Sequence, residues 1–303
     1  MKYQNLAEYS VSSVIMGCMR LNQLSESEAF SLIDLALVSG INYFDHADIY
    51  GGGECEEVFG KYLGRYPEKR EKMIIQSKCG ISDGYYDLSK EHIIMSVEGS
   101  LKRLNIDRLD VLLLHRPDAL FEPEEIAQAF SILHEQGKVG AFGVSNFNSM
   151  QLELLRKNVS FPICVNQLQF GPMFTGMIDF AVNTNMKNER SCDRDGMILD
   201  YCRLNGITIQ AWSPFQYGFF EGVFVDNPKF PELNLRLQEL ADLYGVSKNS
   251  IVAAWVLRHS AKLQLISGTT NRSRLREICS GANIELTRSQ WYDIYKSAGN
   301  PLP

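Results

Sequence analysis

Eight short apolar runs alternate with helix-length segments along the 303 residues of this chain, and this alternation constrains its fold most strongly. The runs begin near residues 13, 43, 73, 111, 141, 164, 208 and 263. Several are apolar at almost every position, as expected of parallel strands that are covered on both faces. Alternating strands and helices imply a parallel sheet, and eight such units suggest that it closes into a barrel. The pattern therefore predicts an α/β protein with a (β/α)8 TIM barrel.

Helix signals lie in the segments between the apolar runs. Ser25 and Glu28 have the spacing of a capping box, which marks the first turn of a helix. Thr287 and Gln290 repeat that spacing and predict a C-terminal helix after the eighth unit. The chain has no low-complexity tract and no linker rich in Pro, Gly or Ser. Since barrels of this kind reach this length as one unit, we expect a single domain over residues 1–303.

Composition and charge argue against several classes of partner. The net charge of −6 is unfavourable for binding nucleic acid, whose phosphates attract basic surfaces. Seven irregularly spaced cysteines include no C-x-x-C pair, so neither a metal site nor a disulfide framework is expected. The N-terminus has no apolar signal-peptide core, and no apolar stretch reaches the length needed to cross a membrane. These features predict a cytoplasmic protein without membrane or nucleic-acid partners, and they fit a monomer or a homodimer equally well.

Two connections are longer than the others, and each follows a predicted strand. Residues 171–195 are polar and rich in Asn, Arg and Asp, whereas residues 215–232 contain several aromatic side chains. Long loops in a compact domain are more often functional than accidental. We expect both loops to lie over the C-terminal mouth of the barrel. About half of the phenylalanines in the second loop should pack beneath it, with the rest left to line a substrate pocket.

Four polar residues lie at or just after the C-terminal ends of predicted strands. They are Asp45, Tyr50, Lys78 and His115. In a parallel barrel the C-terminal ends of all strands surround the same mouth, so these residues can meet although they are far apart in sequence. A phenol, an ammonium, a carboxylate and an imidazole in one pocket form a site for proton transfer.

The chemistry of these four groups suggests a role for each. A free tyrosine has a pKa near 10, and a neighbouring ammonium favours phenolate and lowers that pKa. Tyr50 is therefore the candidate general acid, Lys78 the group that adjusts its pKa, and Asp45 the anchor of Lys78. His115 would donate or relay a hydrogen bond to the oxygen that is protonated. The set suits carbonyl reduction, and since no side chain delivers hydride, it calls for a nicotinamide cofactor.

An ordered set of short motifs covers nearly the whole length of the chain. The motifs are residues 44–51 (FDHADIYG), Lys78, residues 114–118 (LHRPD), residues 143–147 (GVSNF), Asn166 and Gln167, residues 212–214 (WSP) and residues 266–271 (ISGTTN). Each motif alone is weak, but together and in this order they are specific. In this ordered set the chain resembles the aldo-keto reductase family.

The resemblance implies a catalytic tetrad of Asp45, Tyr50, Lys78 and His115 and a binding site for the nicotinamide half of the cofactor. Asp45 also belongs to the cofactor site. Ser145, Asn146 and Gln167 match positions that bind the nicotinamide carboxamide, and Trp212 matches the aromatic residue that stacks on the ring. The other matching positions are Gly17, Cys18 and Met19, whose backbone would line the site, and Ser213, Pro214 and Phe215, which begin the loop over the pyrophosphate.

The resemblance also implies an adenosine site at the eighth strand, formed by Gly268, Thr269, Thr270, Arg274 and Glu277. Arg274 matches the guanidinium that binds the 2′-phosphate, a group that a planar donor suits well, so NADP(H) is the implied cofactor. Two positions differ from many members of the family. Gly268 replaces a lysine that also reaches the phosphate, and Ile278 replaces an asparagine that contacts adenine.

These observations predict NADPH-dependent reduction of an aldehyde or ketone, or oxidation of an alcohol in the reverse direction, with a small carbonyl compound as substrate. Two alternatives differ in class. One is an NADP(H)-sensing regulatory subunit, since the potassium-channel β-subunits resemble the same family. The other is a barrel hydrolase or lyase that uses Asp45, Lys78 and His115 without nicotinamide.

Overall fold

A closed parallel barrel of eight strands forms the centre of the protein in a computed structural model that describes residues 1–303. The strands are β1 (Tyr3–Leu6), β2 (Tyr9–Ser12), β3 (Val14–Gly17), β4 (Tyr43–Asp45), β5 (Ile74–Cys79), β6 (Leu109–Leu114), β7 (Val139–Ser145), β8 (Ile163–Gln169), β9 (Thr208–Trp212), β10 (Gln216–Tyr217), β11 (Gly222–Val223) and β12 (Gln264–Ser267). The barrel order is β12-β3-β4-β5-β6-β7-β8-β9, so each barrel strand pairs with the next barrel strand along the chain, and β12 closes against β3.

The predicted (β/α)8 barrel is confirmed, and each of the eight apolar runs forms one of its strands. The strand β6 shows why the runs are so apolar: all six of its residues are buried, and its one polar residue, Asp110, is paired with Arg70. Its inward side chains pack inside the barrel, while its outward ones pack beneath helices. Alternating polar positions would leave unpaired polar groups in one of these two layers.

Helices follow the strands and cover the outside of the barrel. The capping boxes predicted at Ser25 and at Thr287 are both formed, each with reciprocal side-chain to backbone bonds. The helices are α1 (Glu26–Val38), α2 (Glu54–Arg65), α3 (Lys90–Leu104), α4 (Pro123–Glu135), α5 (Ser149–Arg156), α6 (Gly176–Val182), α7 (Ile198–Leu204), α8 (Pro231–Tyr244), α9 (Lys248–Leu257), α10 (Arg272–Gly281) and α11 (Arg288–Ser297). None of them is both long and apolar enough to span a bilayer.

The N-terminal hairpin β1–β2 precedes the first barrel strand and meets the barrel interior at the end opposite the strand C-termini. Leu6 and Val11 of the hairpin join a buried cluster with inward residues of the barrel such as Ile15, Val111 and Val165. Because this end is filled by apolar side chains, the interior opens only toward the C-terminal ends of the strands.

The expectation for residues 171–195 is wrong: they do not lie over the mouth as a loop. The segment contains α6 and a 3-10 turn, and none of its residues lines the cavity described below. Arg190 donates to Asp179 at 3.1 Å and to Asn300 at 2.9 Å, and Tyr295 donates to Asp179 at 3.1 Å. The polar side chains thus bind the C-terminal segment, a tertiary contact that local composition does not reveal.

The expectation for residues 215–232 is confirmed. The strands β10 and β11 form a two-stranded hairpin there, and Phe215, Phe219 and Phe220 line the cavity at the barrel mouth. Phe224 is fully buried beneath the hairpin. The aromatic residues are therefore divided between packing and pocket lining, as expected.

Candidate active site

A cavity of about 1240 Å³ lies at the C-terminal end of the barrel. Of the residues predicted for the site, Cys18, Lys78 and Glu277 do not line it. Cys18 and Lys78 are fully buried behind the wall, and Glu277 accepts a hydrogen bond from Asn249. The predicted residues that do line the cavity are Gly17, Met19, Asp45, Tyr50, His115, Ser145, Asn146, Gln167, Trp212, Ser213, Pro214, Phe215, Gly268, Thr269, Thr270 and Arg274.

Lys78 connects the carboxylate and the phenol of the predicted tetrad. Its ammonium lies 2.8 Å from Asp45 Oδ1 and donates to Tyr50 Oη at 3.0 Å. It also donates to the backbone carbonyl of His46 at 2.8 Å, so its three donors all have acceptors. Because Lys78 donates to Tyr50, the phenolic proton is left free to point into the cavity.

The Asp45 carboxylate is held from behind by buried amides. Gln76 Nε2 donates to Asp45 Oδ1 at 2.5 Å, and Gln167 Nε2 donates to the same oxygen at 3.0 Å. Both amides also donate to Gln210 Oε1, at 3.0 and 3.1 Å. This layer of glutamines across the barrel interior fixes the carboxylate, and through it the ammonium of Lys78.

Lys78 remains charged although it is buried. Burial lowers the pKa of its ammonium, but the Asp45 carboxylate and Tyr50 outweigh that effect and raise the pKa of Lys78 above its usual value. A buried charge is tolerated when it is paired and fully hydrogen-bonded, as this one is. The site therefore keeps a fixed positive charge beside Tyr50.

The expected lowering of the Tyr50 pKa is not found in this structure. Burial raises the pKa of Tyr50, and the nearby Lys78 ammonium opposes the rise without cancelling it. The charge of the ammonium favours phenolate, but the loss of hydration around the phenol has the larger effect. Tyr50 thus carries its proton at neutral pH, as a proton donor must.

His115 is neutral and lies beside Tyr50. The two ring centroids are 5.9 Å apart in an edge-to-face arrangement. Burial, with smaller contributions from Lys78 and Arg116, lowers the pKa of His115 well below its usual range. Its Nδ1 atom is buried without a hydrogen-bond partner. A neutral imidazole here can donate one hydrogen bond but cannot add a second positive charge beside Lys78.

Three polar side chains in the cavity wall next to His115 are linked to one another. Asn146 Nδ2 donates to Ser145 Oγ at 2.8 Å, and Trp212 Nε1 donates to Asn146 Oδ1 at 3.1 Å. Asn146 has φ of 62° and Ser213 has φ of 49°, both in the left-handed region that non-glycine residues rarely adopt. Such backbone strain concentrates at functional sites, where the surrounding structure imposes it. These bonds hold the indole of Trp212 in the cavity wall.

The cavity wall beyond β12 has the features of an anion site. Helix α10 begins at Arg272, and Asn271 caps its first turn by accepting from the Arg274 backbone at 3.0 Å. Helix N-termini attract negative groups through their free amides and dipole. Ser267 Oγ, also in this wall, is buried without a hydrogen-bond partner. An unpaired polar atom of this kind needs a ligand or water to offset its burial.

These features fit a bound dinucleotide. The cavity is larger than the range of about 300–1,000 Å³ typical of sites for one small ligand, so it has room for a cofactor beside a substrate. One end presents Trp212 and the amides of Asn146 and Gln167, and the other presents Ser267 and the start of α10. No group of His, Cys, Asp or Glu side chains is arranged to hold a metal ion.

Sequence reasoning missed several polar residues that line the cavity, among them Arg20, Arg116, Gln216, Asp226 and Asn249. Arg116 directly follows His115 at a strand end, so the rule that found His115 should have found it too. Arg20 lies shortly after β3, and Gln216 lies in the aromatic hairpin. Asn249 belongs to α9, and only the tertiary packing of α9 on α10 brings it to the site, so no local signal marks it.

Comparison with known proteins identifies the class of this barrel. Residues 13–298 match the family model described as "Aldo/keto reductase family". Oxidoreductase YdhF of Escherichia coli (strain K12) is 36% identical, over 95% of this chain and 93% of that protein. The uncharacterized oxidoreductase YcsN of Bacillus subtilis (strain 168) is 33% identical, over 100% of this chain and 99% of that protein.

A further relative and a solved structure agree with these matches. The 6-dehydroglucose reductase of Agrobacterium fabrum is 31% identical, over 95% of this chain and 94% of that protein. The thermostable aldo-keto reductase Tm1743, solved with the inhibitor epalrestat, superposes with a TM-score of 0.77 at 25% identity. That comparison covers 98% of this chain and all of the other. This chain belongs to the aldo-keto reductase family and is an oxidoreductase.

Proposed function

We propose that this protein reduces an aldehyde or ketone with NADPH and that Tyr50 is the general acid. The observation that carries the proposal is the position of Lys78, which is bonded at once to the Asp45 carboxylate and to the Tyr50 phenol at the cavity wall. This arrangement gives a protonated phenol, with its proton free, beside a fixed positive charge. Membership of the family supports carbonyl chemistry at this site.

Each of the four side chains has a separate role in protonating a carbonyl oxygen. The nicotinamide, when bound, supplies the hydride. Tyr50 donates its proton to the oxygen that gains negative charge, and Lys78 stabilises the phenolate that remains. Asp45 keeps Lys78 in place and charged. Neutral His115 donates a hydrogen bond to the same oxygen and orients the carbonyl. In the direction of alcohol oxidation, the Tyr50 phenolate accepts the proton instead.

The proposed cofactor is NADP(H), held along the cavity from Trp212 to α10. Ser145, Asn146 and Gln167 would bind the carboxamide of the nicotinamide, and Trp212 would stack against its ring. Gly17, Met19 and residues 213–215 would line the middle of the site. The segment from Gly268 to Thr270 and the side chain of Arg274 would bind the adenosine end. The side chains of Cys18 and Glu277 lie behind the wall. Cys18 would therefore contribute only through its backbone, and Glu277 only through its hydrogen bond with Asn249.

Replacement of the phenol by Phe tests this role directly. In Tyr50→Phe, NADPH oxidation with a panel of aldehydes and ketones should fall by about 10²–10⁴-fold, the usual contribution of a general acid. NADPH binding, followed by fluorescence, should persist because the residues proposed to bind the cofactor remain. Tyr85→Phe is the matched control: Tyr85 is 62% exposed, lies outside the cavity and should retain full activity.

Three results would contradict the proposal. If Tyr50→Phe kept wild-type turnover, another group would be the acid. If the wild type bound NADPH tightly but reduced none of the compounds, the regulatory role resembling potassium-channel β-subunits would replace the reductase. Absence of NADPH binding would favour chemistry without nicotinamide. The cytoplasmic location and the monomeric or dimeric state stay predictions.

A further inference from the structure

Arg116 is a charged residue in the cavity wall that the proposed mechanism does not use. It directly follows His115 after β6, and its side chain lines the cavity. No Asp or Glu oxygen lies within 4.0 Å of its guanidinium, and the structure contains no hydrogen bond from it. Arg20, by contrast, already donates to the backbone carbonyl of Gly268 at 2.9 Å. Arg116 is therefore a cation whose donors are unused.

The guanidinium lies at the reacting end of the cavity. Its central carbon is 6.0 Å from the ring centroid of Trp212, within the range of a cation–π contact. Its charge also contributes, after burial and Lys78, to lowering the pKa of His115, which places it near the imidazole. Arg274 belongs to the other end, on α10. Arg116 is thus positioned toward a substrate rather than toward the adenosine part of a cofactor.

The wall around this end of the cavity includes several apolar and aromatic side chains. A charge facing such a wall is unfavourable unless a partner offsets it. The two carboxylates that line the cavity are already paired, Asp45 with Lys78 and Asp226 with Lys248. The apolar and aromatic residues that line the cavity outside the predicted cofactor site include Ile49, Ile81, Tyr86, Phe219, Phe220 and Val223.

We propose that Arg116 binds a carboxylate on the substrate, so that the enzyme acts on carbonyl compounds with an apolar or aromatic body and a carboxylate group. This inference rests on the proposed function and names its substrate class. The planar fork of a guanidinium matches the two oxygens of a carboxylate. One unpaired guanidinium among apolar side chains suits a single negative charge better than the double charge of a phosphate.

A pair of substrates that differ only in charge tests the proposal. The substrates are para-carboxybenzaldehyde and its neutral analogue para-formylbenzamide, each reduced with NADPH by wild type and by Arg116→Gln. The ratio of kcat/KM for acid over amide should fall by about 10- to 100-fold in the variant, since hydrogen bonds to charged groups contribute about 1.5–3 kcal/mol. The fall should lie mainly in KM for the acid.

Two further variants separate binding from structure. Arg116→Lys keeps the charge and loses the fork, so it should recover part of the ratio. Arg288→Gln removes the same charge from an exposed position on α11, away from the cavity, and should leave the ratio at its wild-type value. A ratio that stays constant in Arg116→Gln, or equal losses with both substrates, would overturn the carboxylate assignment.

Failure of the proposed function would give a different result. Turnover of the neutral amide reports on the reductase alone, whereas the ratio reports on Arg116. If neither aldehyde were reduced, the reductase proposal would fail for these substrates, and calorimetry with the unreactive para-toluate, in the presence of NADP⁺, would still test Arg116. The wild type should bind para-toluate at least about ten times more tightly than Arg116→Gln. Equal affinities would overturn the proposal.

Discussion

Lys78 shows how much of this site depends on a single side chain. Its ammonium is fully buried and uses its donors on Asp45, Tyr50 and the backbone of His46. Burial alone lowers the pKa of this lysine, and the Asp45 carboxylate is the strongest of the influences that raise it again. The carboxylate and the ammonium therefore act together, and the phenol is positioned by both.

The proposed preference for NADPH over NADH can be tested at Arg274. This side chain is exposed, lines the cavity at the start of α10 and has no carboxylate partner. Arg274→Ala should weaken NADPH binding by about 10- to 100-fold, the effect of losing a hydrogen bond to a charged group, and should weaken NADH binding much less. Fluorescence titration of both cofactors measures the two affinities.

The control for this prediction lies on the same helix. Arg276 is also exposed but does not line the cavity, so Arg276→Ala removes the same charge from α10 without touching the site. It should change both affinities by little. If Arg274→Ala weakened NADPH and NADH equally, Arg274 would not distinguish the two cofactors.

The C-terminal helix α11 is attached to α9 by a pair of tryptophans. Trp255 Nε1 donates to the carbonyl of Trp291, and Trp291 Nε1 donates to the carbonyl of Trp255, both at 3.0 Å. The two rings stack with centroids 4.6 Å apart. Since α9 also carries Asn249 to the cavity, the packing of α11 supports one wall of the site from outside.

Loss of the cap on α11 should destabilise the protein by a predictable amount. Thr287 accepts a hydrogen bond from the Gln290 backbone at 3.2 Å, and Gln290 reaches back to the Thr287 backbone at 2.8 Å. Thr287→Ala should lower the free energy of unfolding by about 1 kcal/mol. Urea denaturation measures this change. Ser289→Ala, at an exposed position inside the same helix, should cost less than half of that, and equal losses would refute the capping role.

Sequence predicted those elements whose structure depends on local pattern. The apolar runs gave the strands, the caps at Ser25 and Thr287 gave helix starts, and strand ends gave Asp45 and His115. The path of residues 171–195 was not predictable, because it depends on bonds such as that of Arg190 to Asn300 at a distant part of the chain. The prediction of a lowered pKa for Tyr50 was wrong for the same reason. This pKa is set mainly by burial, which only the tertiary structure determines.

At the scale of the whole molecule, the barrel explains why so many positions meet in one cavity. Gly17, Asp45, Ser145, Gln167 and Ser267 come from the C-terminal parts of five different strands, and His115 and Trp212 from two more. The remaining strand, β5, places Lys78 behind the wall. A closed parallel barrel brings the C-terminal ends of all eight strands together at one mouth, although these residues are far apart in the sequence. That the whole of residues 1–303 forms one domain stays a prediction.

Buried ionisable groups beside the site should also shape the pH dependence of stability. Burial, with a smaller effect of Lys78, lowers the pKa of His46 from 6.5 to about 3. Between these values the unfolded chain holds a proton on this residue that the folded protein does not, so the folded state loses stability as pH falls below 6.5. Each pH unit in this window costs about 1.4 kcal/mol.

Asp48 works in the opposite direction. Burial, together with nearby Glu56, raises its pKa from 3.8 to about 6, so the folded protein binds a proton there before the unfolded chain does. Protonation of this carboxyl stabilises the folded protein increasingly as pH falls from 6 toward 3.8. It therefore offsets much of the stability that is lost through His46. Removal of the imidazole should therefore expose the contribution of Asp48.

The substitution His46→Leu tests this balance. From pH 6 to pH 4 the slope of unfolding free energy against pH should become more negative than in wild type by about 1.4 kcal/mol per unit, because one proton uptake by the unfolded state is lost. Urea titrations at several pH values give both slopes. His134→Leu removes an imidazole that is exposed on α4 and should leave the slope nearly unchanged. Identical slopes in His46→Leu and wild type would mean that His46 is protonated in the folded protein, despite its burial against Phe59.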